Sequence, residues 1–189
     1  MSRIVVILSV ALFLCSCELF EVRDSHPPTA GAPWNDYTNT PFGELLNKTV
    51  QNLEYAFEDS RNTVYYYGLF HNDYRFYFAP QDVVDYNTDL SWDRSRERDM
   101  LLILHTRYSN IKVSLSPMEI SDEISSNEAK LFRTYTITAK PSSGSELTVA
   151  KGSMELHYRL VSGVWLIREW RDVRTGNDST WGVLKHANS

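Results

Sequence analysis

Apolar residues recur every three or four positions after Thr40 and Pro41, which is the spacing of one face of an α-helix. The residues of this face are Leu46, Val50, Leu53 and Phe57. Threonine is a residue type that caps helix N-termini, and proline favours the first helical position. The pattern therefore predicts a helix that begins at Thr40 and ends at about Asp59.

A shorter apolar pattern follows, with Ser60 or Asn62 as its N-terminal cap. Its apolar residues are Val64, Tyr65, Leu69 and Phe70. We expect a second short helix here, followed by a turn at Asn72-Asp73.

Strict alternation then replaces the helical spacing. Tyr74, Phe76 and Phe78 alternate with Arg75 and Tyr77, and Pro80 follows. Alternation of this kind predicts a strand that ends before the proline.

A third helix is predicted from about Ser91 to Tyr108, with a charged first half and an apolar second half. Leu101, Leu104 and Tyr108 form one stripe of this helix. Glu97 lies four residues before Leu101 and therefore on the same face.

Four further segments alternate with a period of two, and they are residues 111–115, 131–137, 153–160 and 164–173. In the third segment we expect Met154, Leu156, Tyr158 and Leu160 to face inward. Ser162-Gly163 predicts a tight turn that makes the last two strands antiparallel. Residues 180–185 are interpreted as a short last strand or a turn.

The resulting order is helix, helix, strand, helix and then a run of antiparallel strands. This order predicts an α+β domain, residues 39–189, in which about three helices pack on one face of a strongly curved antiparallel sheet.

The N-terminus has the pattern of an export signal. One positive charge at Arg3 precedes an apolar run from Ile4 to Leu14 that is too short to span a bilayer. Leu14-Cys15-Ser16-Cys17 resembles the lipobox of bacterial lipoproteins. We therefore predict a signal peptide over residues 1–16 and lipidation of Cys17; an uncleaved signal anchor is the alternative. Residues 17–38 contain several prolines and are interpreted as a tether.

Cysteine usage and charge limit the classes of function. Both cysteines lie in the N-terminal segment, so the predicted domain has no disulfide and no thiolate metal site. Loss of the signal peptide would remove Arg3 and change the formal charge from −5 to −6. An acidic chain without a run of basic residues binds nucleic acid poorly, so we exclude nucleic acid as a partner.

The order of elements resembles the nuclear transport factor 2-like superfamily, as does the ending Ser162-Gly163-Val164-Trp165-Leu166-Ile167-Arg168-Glu169-Trp170-Arg171-Asp172. A hairpin followed by Gly-x-Trp-x-Ile is common in the late strands of that superfamily. The resemblance covers about residues 40–185. It implies a cone-shaped fold whose sheet and helices enclose an apolar cavity. Members include ketosteroid isomerases, polyketide cyclases and many uncharacterised lipoproteins. The isomerases imply an aspartate base with tyrosine and acid donors, but this chain does not match that pattern position by position.

Glu97 is the foremost candidate for the predicted cavity, because the helix stripe places it beside Leu101 and Leu104. A carboxylate facing an apolar cavity would have a raised pKa or a cationic partner. The alternatives are a solvent-facing position or an ion pair with Arg94 or Arg133.

Further candidates for the cavity lie on strands and near the helices. Trp170 and Asp172 share a strand face opposite to Trp165 and Ile167, so they would reach the cavity only across a β-bulge. A pair of Asp172 with Arg168 or Arg171 is the alternative. Tyr66, Tyr74 and Trp92 belong to an aromatic set that would line the cavity or pack the core.

No metal or cofactor motif is present. The five histidines are scattered, and no phosphate loop or nucleophile elbow occurs, so we expect no cofactor. We expect a lipid-anchored envelope protein with a non-catalytic domain that binds a small apolar ligand or an envelope protein, with an isomerase or dehydratase as the alternative. A homodimer is a further expectation. Glu18 after Cys17 favours the periplasmic face of the outer membrane if the source is Gram-negative.

Overall fold

The computed structural model describes residues 31–189. The predicted signal peptide and Cys17 lie outside these residues. The helices are α1 (Phe42–Glu58), α2 (Thr63–Tyr66), α3 (Pro80–Tyr86), α4 (Arg94–Arg107) and α5 (Trp181–His186). The strands are β1 (Phe70–Tyr77), β2 (Ser91–Asp93), β3 (Tyr108–Pro117), β4 (Glu123–Ile124), β5 (Glu128–Pro141), β6 (Leu147–Val161) and β7 (Val164–Val173).

Residues before the first helix are part of the compact unit, which begins at Ala32. The backbone N–H of Asn35 donates to Asn52 Oδ1 at 2.7 Å, and Asn52 Nδ2 donates to Asn35 O at 3.0 Å. Asn62 Nδ2 also donates to Pro33 O at 2.8 Å. The end of the segment interpreted as a tether is therefore packed along α1, because buried asparagine side chains pair with its backbone groups.

Helix α1 confirms the first predicted helix, and Leu46, Leu53 and Phe57 are buried on its inner face. The predicted cap is wrong. Pro41 occupies the N-cap position, and the Thr40 hydroxyl accepts a hydrogen bond from Lys48 Nζ at 2.7 Å instead of from the helix backbone.

The second helical segment consists of short pieces: 3₁₀ turns over Ser60–Asn62 and Tyr67–Leu69 flank α2. Asp59, and not Ser60 or Asn62, supplies the cap by accepting from the Arg61 N–H. The predicted apolar face is wrong at Val64 and Tyr65, which are 76% and 54% exposed, whereas Leu69 and Phe70 are buried as predicted. Tyr66 is buried in place of Tyr65. A 3₁₀ turn has three residues per turn, so the 3.6-residue period does not hold across these junctions.

Strand β1 begins earlier than predicted, at Phe70, and includes Asn72 and Asp73. The predicted turn at Asn72-Asp73 is wrong, because the strand continues through both residues. Its register against β7 is irregular between Phe70 and Arg75. Helix α3 and strand β2 were not predicted. Helix α4 begins at Arg94 because the Asp93 side chain accepts from the Ser95 N–H at 3.1 Å, and this leaves residues 91–93 free to pair with β1.

The sheet has the strand order β2-β1-β7-β6-β5-β3, with β4 on β5. The α+β class is confirmed, and the strands form a curved, unclosed sheet with helices against it. The sheet is mixed and not antiparallel throughout, because β1 pairs with β7 in parallel. The hairpin between β6 and β7 is as predicted: Ser162 and Gly163 both have positive φ, which is the geometry of a tight hairpin turn.

A bulge in β7 reorders its two faces. The register to β6 shifts between the pairs His157–Glu169 and Tyr158–Ile167, so Arg168 is the extra residue. Ile167 and Trp170 consequently lie on the same buried side. The condition set for Trp170 and Asp172 to face inward is therefore met.

The last element is a helix, α5, and the interpretation of residues 180–185 as a strand or turn is wrong. The Thr180 hydroxyl accepts from the Val183 N–H at 3.1 Å and caps the helix. Trp181, Leu184 and Lys185 share its buried face. Within residues 31–189, no helix combines the length and apolar character needed to cross a membrane.

Candidate functional site

All six predicted cavity residues are buried and converge on the interior between the sheet and helices α4 and α5. They are Glu97, Tyr66, Tyr74, Trp92, Trp170 and Asp172. Glu97 stands in the first turn of α4, on the face of Leu101 and Leu104, as its spacing predicts.

The Glu97 carboxylate accepts hydrogen bonds from three different elements. The Tyr66 hydroxyl of α2 donates to Oε2 at 2.7 Å. The Tyr74 hydroxyl of β1 and the Trp92 indole N–H of β2 donate to Oε1 at 2.7 and 2.9 Å. These three donors, one from a helix and two from the sheet, fix the orientation of the carboxylate.

The fourth donor is Lys185 of α5, which no sequence pattern indicated as a site residue. Its Nζ lies 2.7 Å from Glu97 Oε1, and both side chains are 0% exposed. The predicted alternatives for Glu97 are wrong: Arg94 donates to Asn72 Oδ1 at 2.6 Å, and Arg133 pairs with Asp122 at 2.7 Å.

Aromatic rings surround the Lys185 ammonium on its remaining sides. Nζ lies 3.9 Å from the ring centroid of Phe76 and 3.7 Å from that of Trp170, with Trp92 at 6.0 Å. These distances are typical of cation–π contacts. The three rings occupy paired positions on neighbouring strands, because Phe76 of β1 is opposite both Trp92 and Trp170.

Asp172 lies beside this group and has its own donors. The Tyr135 hydroxyl donates to Oδ1 at 2.7 Å and the Gly182 N–H to Oδ2 at 2.5 Å. The predicted pair with Arg168 or Arg171 is therefore wrong. Gly152 leaves room for the Tyr135 hydroxyl that donates to Asp172, because a Cβ at that position would lie 2.5 Å from the hydroxyl oxygen.

Burial shifts the pKa values of these groups against their charged forms. Desolvation lowers the pKa of Lys185 to about 8 despite the opposing charge of Glu97. Desolvation likewise raises the pKa of Asp172 to about 6, although Tyr135 and Gly182 donate to it. The pKa values of Tyr66 and Tyr74 are raised by burial and by the Glu97 charge, so both tyrosines remain hydrogen-bond donors at neutral pH.

The side chains around Lys185 are almost wholly buried. Each of the six predicted residues and Lys185 is at most 3% exposed. The Lys185 ammonium and Trp181 both pack against Trp170, where the apolar cavity was expected, and the two indole ring centroids are 4.5 Å apart.

The other face of the sheet carries an open polar cleft of about 610 Å³. Its lining includes Lys130, His157, Arg168 and Glu169. No group of three or more histidine, cysteine, aspartate or glutamate side chains within the described part of the chain could hold a metal ion.

Comparison with solved structures identifies the fold. A candidate aromatic ring hydroxylase from Novosphingobium aromaticivorans superposes with a TM-score of 0.58 at 10% identity, over 73% of this chain and 93% of that chain. A candidate scytalone dehydratase from the same organism gives 0.57 at 13% identity, over 74% and 93%. A nuclear transport factor 2-like protein from Salmonella enterica gives 0.52 at 12% identity, over 69% and 88%.

The chain therefore has the nuclear transport factor 2-like fold, as its late strands indicated. At these identities the similarity establishes the fold alone. No family model matches the sequence, and a search of curated proteins gives no match.

Proposed function

We propose that this chain is a non-catalytic binding domain that a lipid on Cys17 anchors to the cell envelope. The observation that carries the non-catalytic assignment is the buried pair of Glu97 and Lys185. A general base must reach the proton that it removes. Both oxygens of Glu97 already accept hydrogen bonds, and the Lys185 ammonium neutralises its charge.

The proposed alternative is an isomerase or dehydratase, and one observation favours it. The Glu97 carboxylate lies 2.7 Å from two tyrosine hydroxyls. In an enzyme the carboxylate could remove a proton, and the hydroxyls could stabilise the resulting enolate. This chemistry would require α5 to withdraw Lys185 before each turnover.

Proton exchange separates the two functions. We would incubate the full chain, purified in detergent, with a panel of cyclic ketones in deuterium oxide and follow the α-C–H signals by NMR. We expect exchange at the rate of the buffer, because no free base faces a substrate. Exchange by the wild type that is faster than the buffer rate would support the enzyme if it is lost in Glu97→Gln. Circular dichroism would show that this variant is folded.

The anchor rests on the N-terminal pattern and has a separate test. Cells expressing the wild type or Cys17→Ser are labelled with radioactive palmitate. We expect label on the wild type alone and accumulation of precursor for the variant, because the lipid is attached to that thiol. Equal label on both proteins would contradict the lipoprotein assignment and leave the binding assignment untouched.

A further inference from the structure

Lys185 sits in surroundings that proteins use to bind organic cations. One carboxylate oxygen lies 2.7 Å from its ammonium, and two aromatic faces lie within 4 Å of it. Aromatic rings combined with a carboxylate are the recognition chemistry of alkylammonium ligands. The lysine therefore occupies this place as a ligand would.

Most contacts that position the walls of this site come from elements other than α5, and Trp170 also packs on Trp181 of that helix with ring centroids 4.5 Å apart. Glu97 is held by Tyr66, Tyr74 and Trp92, none of which belongs to that helix. Phe76 packs against Trp92 and Trp170 with centroid distances of 5.7 and 5.6 Å. Removal of the ammonium would leave a preorganised carboxylate and rigid rings, and preorganisation favours binding.

The occupant, in contrast, is carried on a short helix. Helix α5 has six residues and follows an exposed loop over residues 175–179. Polar contacts hold its N-terminal end, where the Thr180 hydroxyl donates to Asp82 Oδ2 at 2.5 Å and the Gly182 N–H donates to Asp172. Directly after the helix, Arg107 donates to Ala187 O and to Asn188 Oδ1. Trp181 packs into the core and holds the helix closed.

We propose that Phe76, Trp92, Trp170 and Glu97 form a binding site for an organic ammonium ion, which Lys185 occupies from within the chain until a ligand displaces α5. This inference rests on the proposed binding function and names its ligand class. Anions are excluded by Glu97, and neutral ligands would leave that buried carboxylate without a counter-charge.

The first test removes the internal occupant. Lys185→Ala deletes three methylenes and the ammonium, and n-propylammonium has the same atoms. At about ten times its dissociation constant, propylammonium should raise the Tm of full-length Lys185→Ala by about 3–5 °C over sodium chloride at equal ionic strength. The isosteric neutral probe 1-propanol should raise it by less than about 1 °C.

Matched variants show whether the cage itself binds the ion. In Lys185→Ala/Trp170→Leu and in Lys185→Ala/Glu97→Gln the propylammonium effect should be lost, because each change removes one wall. Equal stabilisation by 1-propanol and propylammonium would mean that an apolar hole is being filled, and this would overturn the proposal. An absent propylammonium effect in folded Lys185→Ala would overturn it as well.

The second test uses the wild type and holds even if the variants do not fold. Amide hydrogen exchange of residues 181–186 is measured with propylammonium and with sodium chloride. We expect exchange about tenfold faster with propylammonium, because displaced α5 loses its protection. Unchanged exchange would overturn displacement and with it the proposal. Ketone exchange in the earlier assay would instead contradict the non-catalytic function, whichever way propylammonium acts.

Discussion

The ion pairs on the two faces of the sheet differ in their exposure to solvent. Inside, Glu97 and Lys185 form a pair with no exposed surface. Outside, Lys130 lies 3.5 Å from Glu155, and Arg171 lies 2.7 Å from Glu169, with all four side chains between 24% and 44% exposed. Similar distances therefore join pairs in very different solvent, and the surroundings decide what each pair contributes.

Inside the protein, desolvation makes each charge dependent on its partner. The inner pair has no exposed surface, and aromatic rings pack against its ammonium, so bulk water solvates neither member. Water hydrates the outer side chains, and long side chains lose conformational entropy when they pair there. We therefore expect the inner pair to dominate stability and the outer pairs to contribute little.

The largest effect should come from breaking the inner pair. Glu97→Gln or Lys185→Met should each lower the free energy of unfolding by about 3–5 kcal/mol, because each leaves one buried group without its counter-charge. The double variant Glu97→Gln/Lys185→Met should recover most of this loss. Urea unfolding of the four proteins, followed by tryptophan fluorescence, measures the cycle. Additive losses in the double variant would show that the two groups are not coupled.

A smaller effect should appear as a pH dependence that belongs to Asp172. Its pKa in the folded state is raised from 3.8 to about 6, so folding binds a proton more tightly there. The corresponding stability is fully present below pH 3.8 and is lost as the pH rises through about 6. Between pH 7 and pH 4.5 the wild type should gain about 2 kcal/mol relative to Asp172→Asn.

The comparison with Asp172→Asn is needed because other carboxylates act in the opposite direction. Burial raises the pKa of Asp122, but the hydrogen bonds from Arg133 and from the Phe132 N–H outweigh it, so the pKa is lowered. The stability that Asp122 contributes is therefore lost on acidification. The difference between wild type and variant cancels such common groups. Urea unfolding at pH 4.5, 5.5, 6.5 and 7.5 gives this difference. A constant value across that range would show that Asp172 titrates normally.

The smallest effects should come from the outer face. Lys130→Ala and Arg171→Ala should each change the free energy of unfolding by less than about 1 kcal/mol, and the change should shrink in high salt. Urea unfolding at low and high sodium chloride concentration measures both. A loss as large as that of Lys185→Met would remove the distinction between the two faces.

Local pattern in the sequence predicted much of the domain. Helix α1, the alternating strands and the inward positions of Met154, Leu156 and Tyr158 follow from periodicity, because one face of each element must be buried. The same reasoning placed Glu97 on an inner stripe. A bulge was identified as the condition for Trp170 and Asp172 to face inward, but its presence in β7 was not predictable from alternation.

Only the tertiary structure decided the partners of these residues. Lys185 stands 88 residues after Glu97, and its segment was interpreted as a strand or turn, so no local signal joined them. The parallel pairing of β1 with β7 brings Phe76 beside Trp170, and the short strand β2 adds Trp92. Periodicity reports which side of an element avoids water, whereas the choice of a buried counter-charge depends on long-range packing that no sequence window contains.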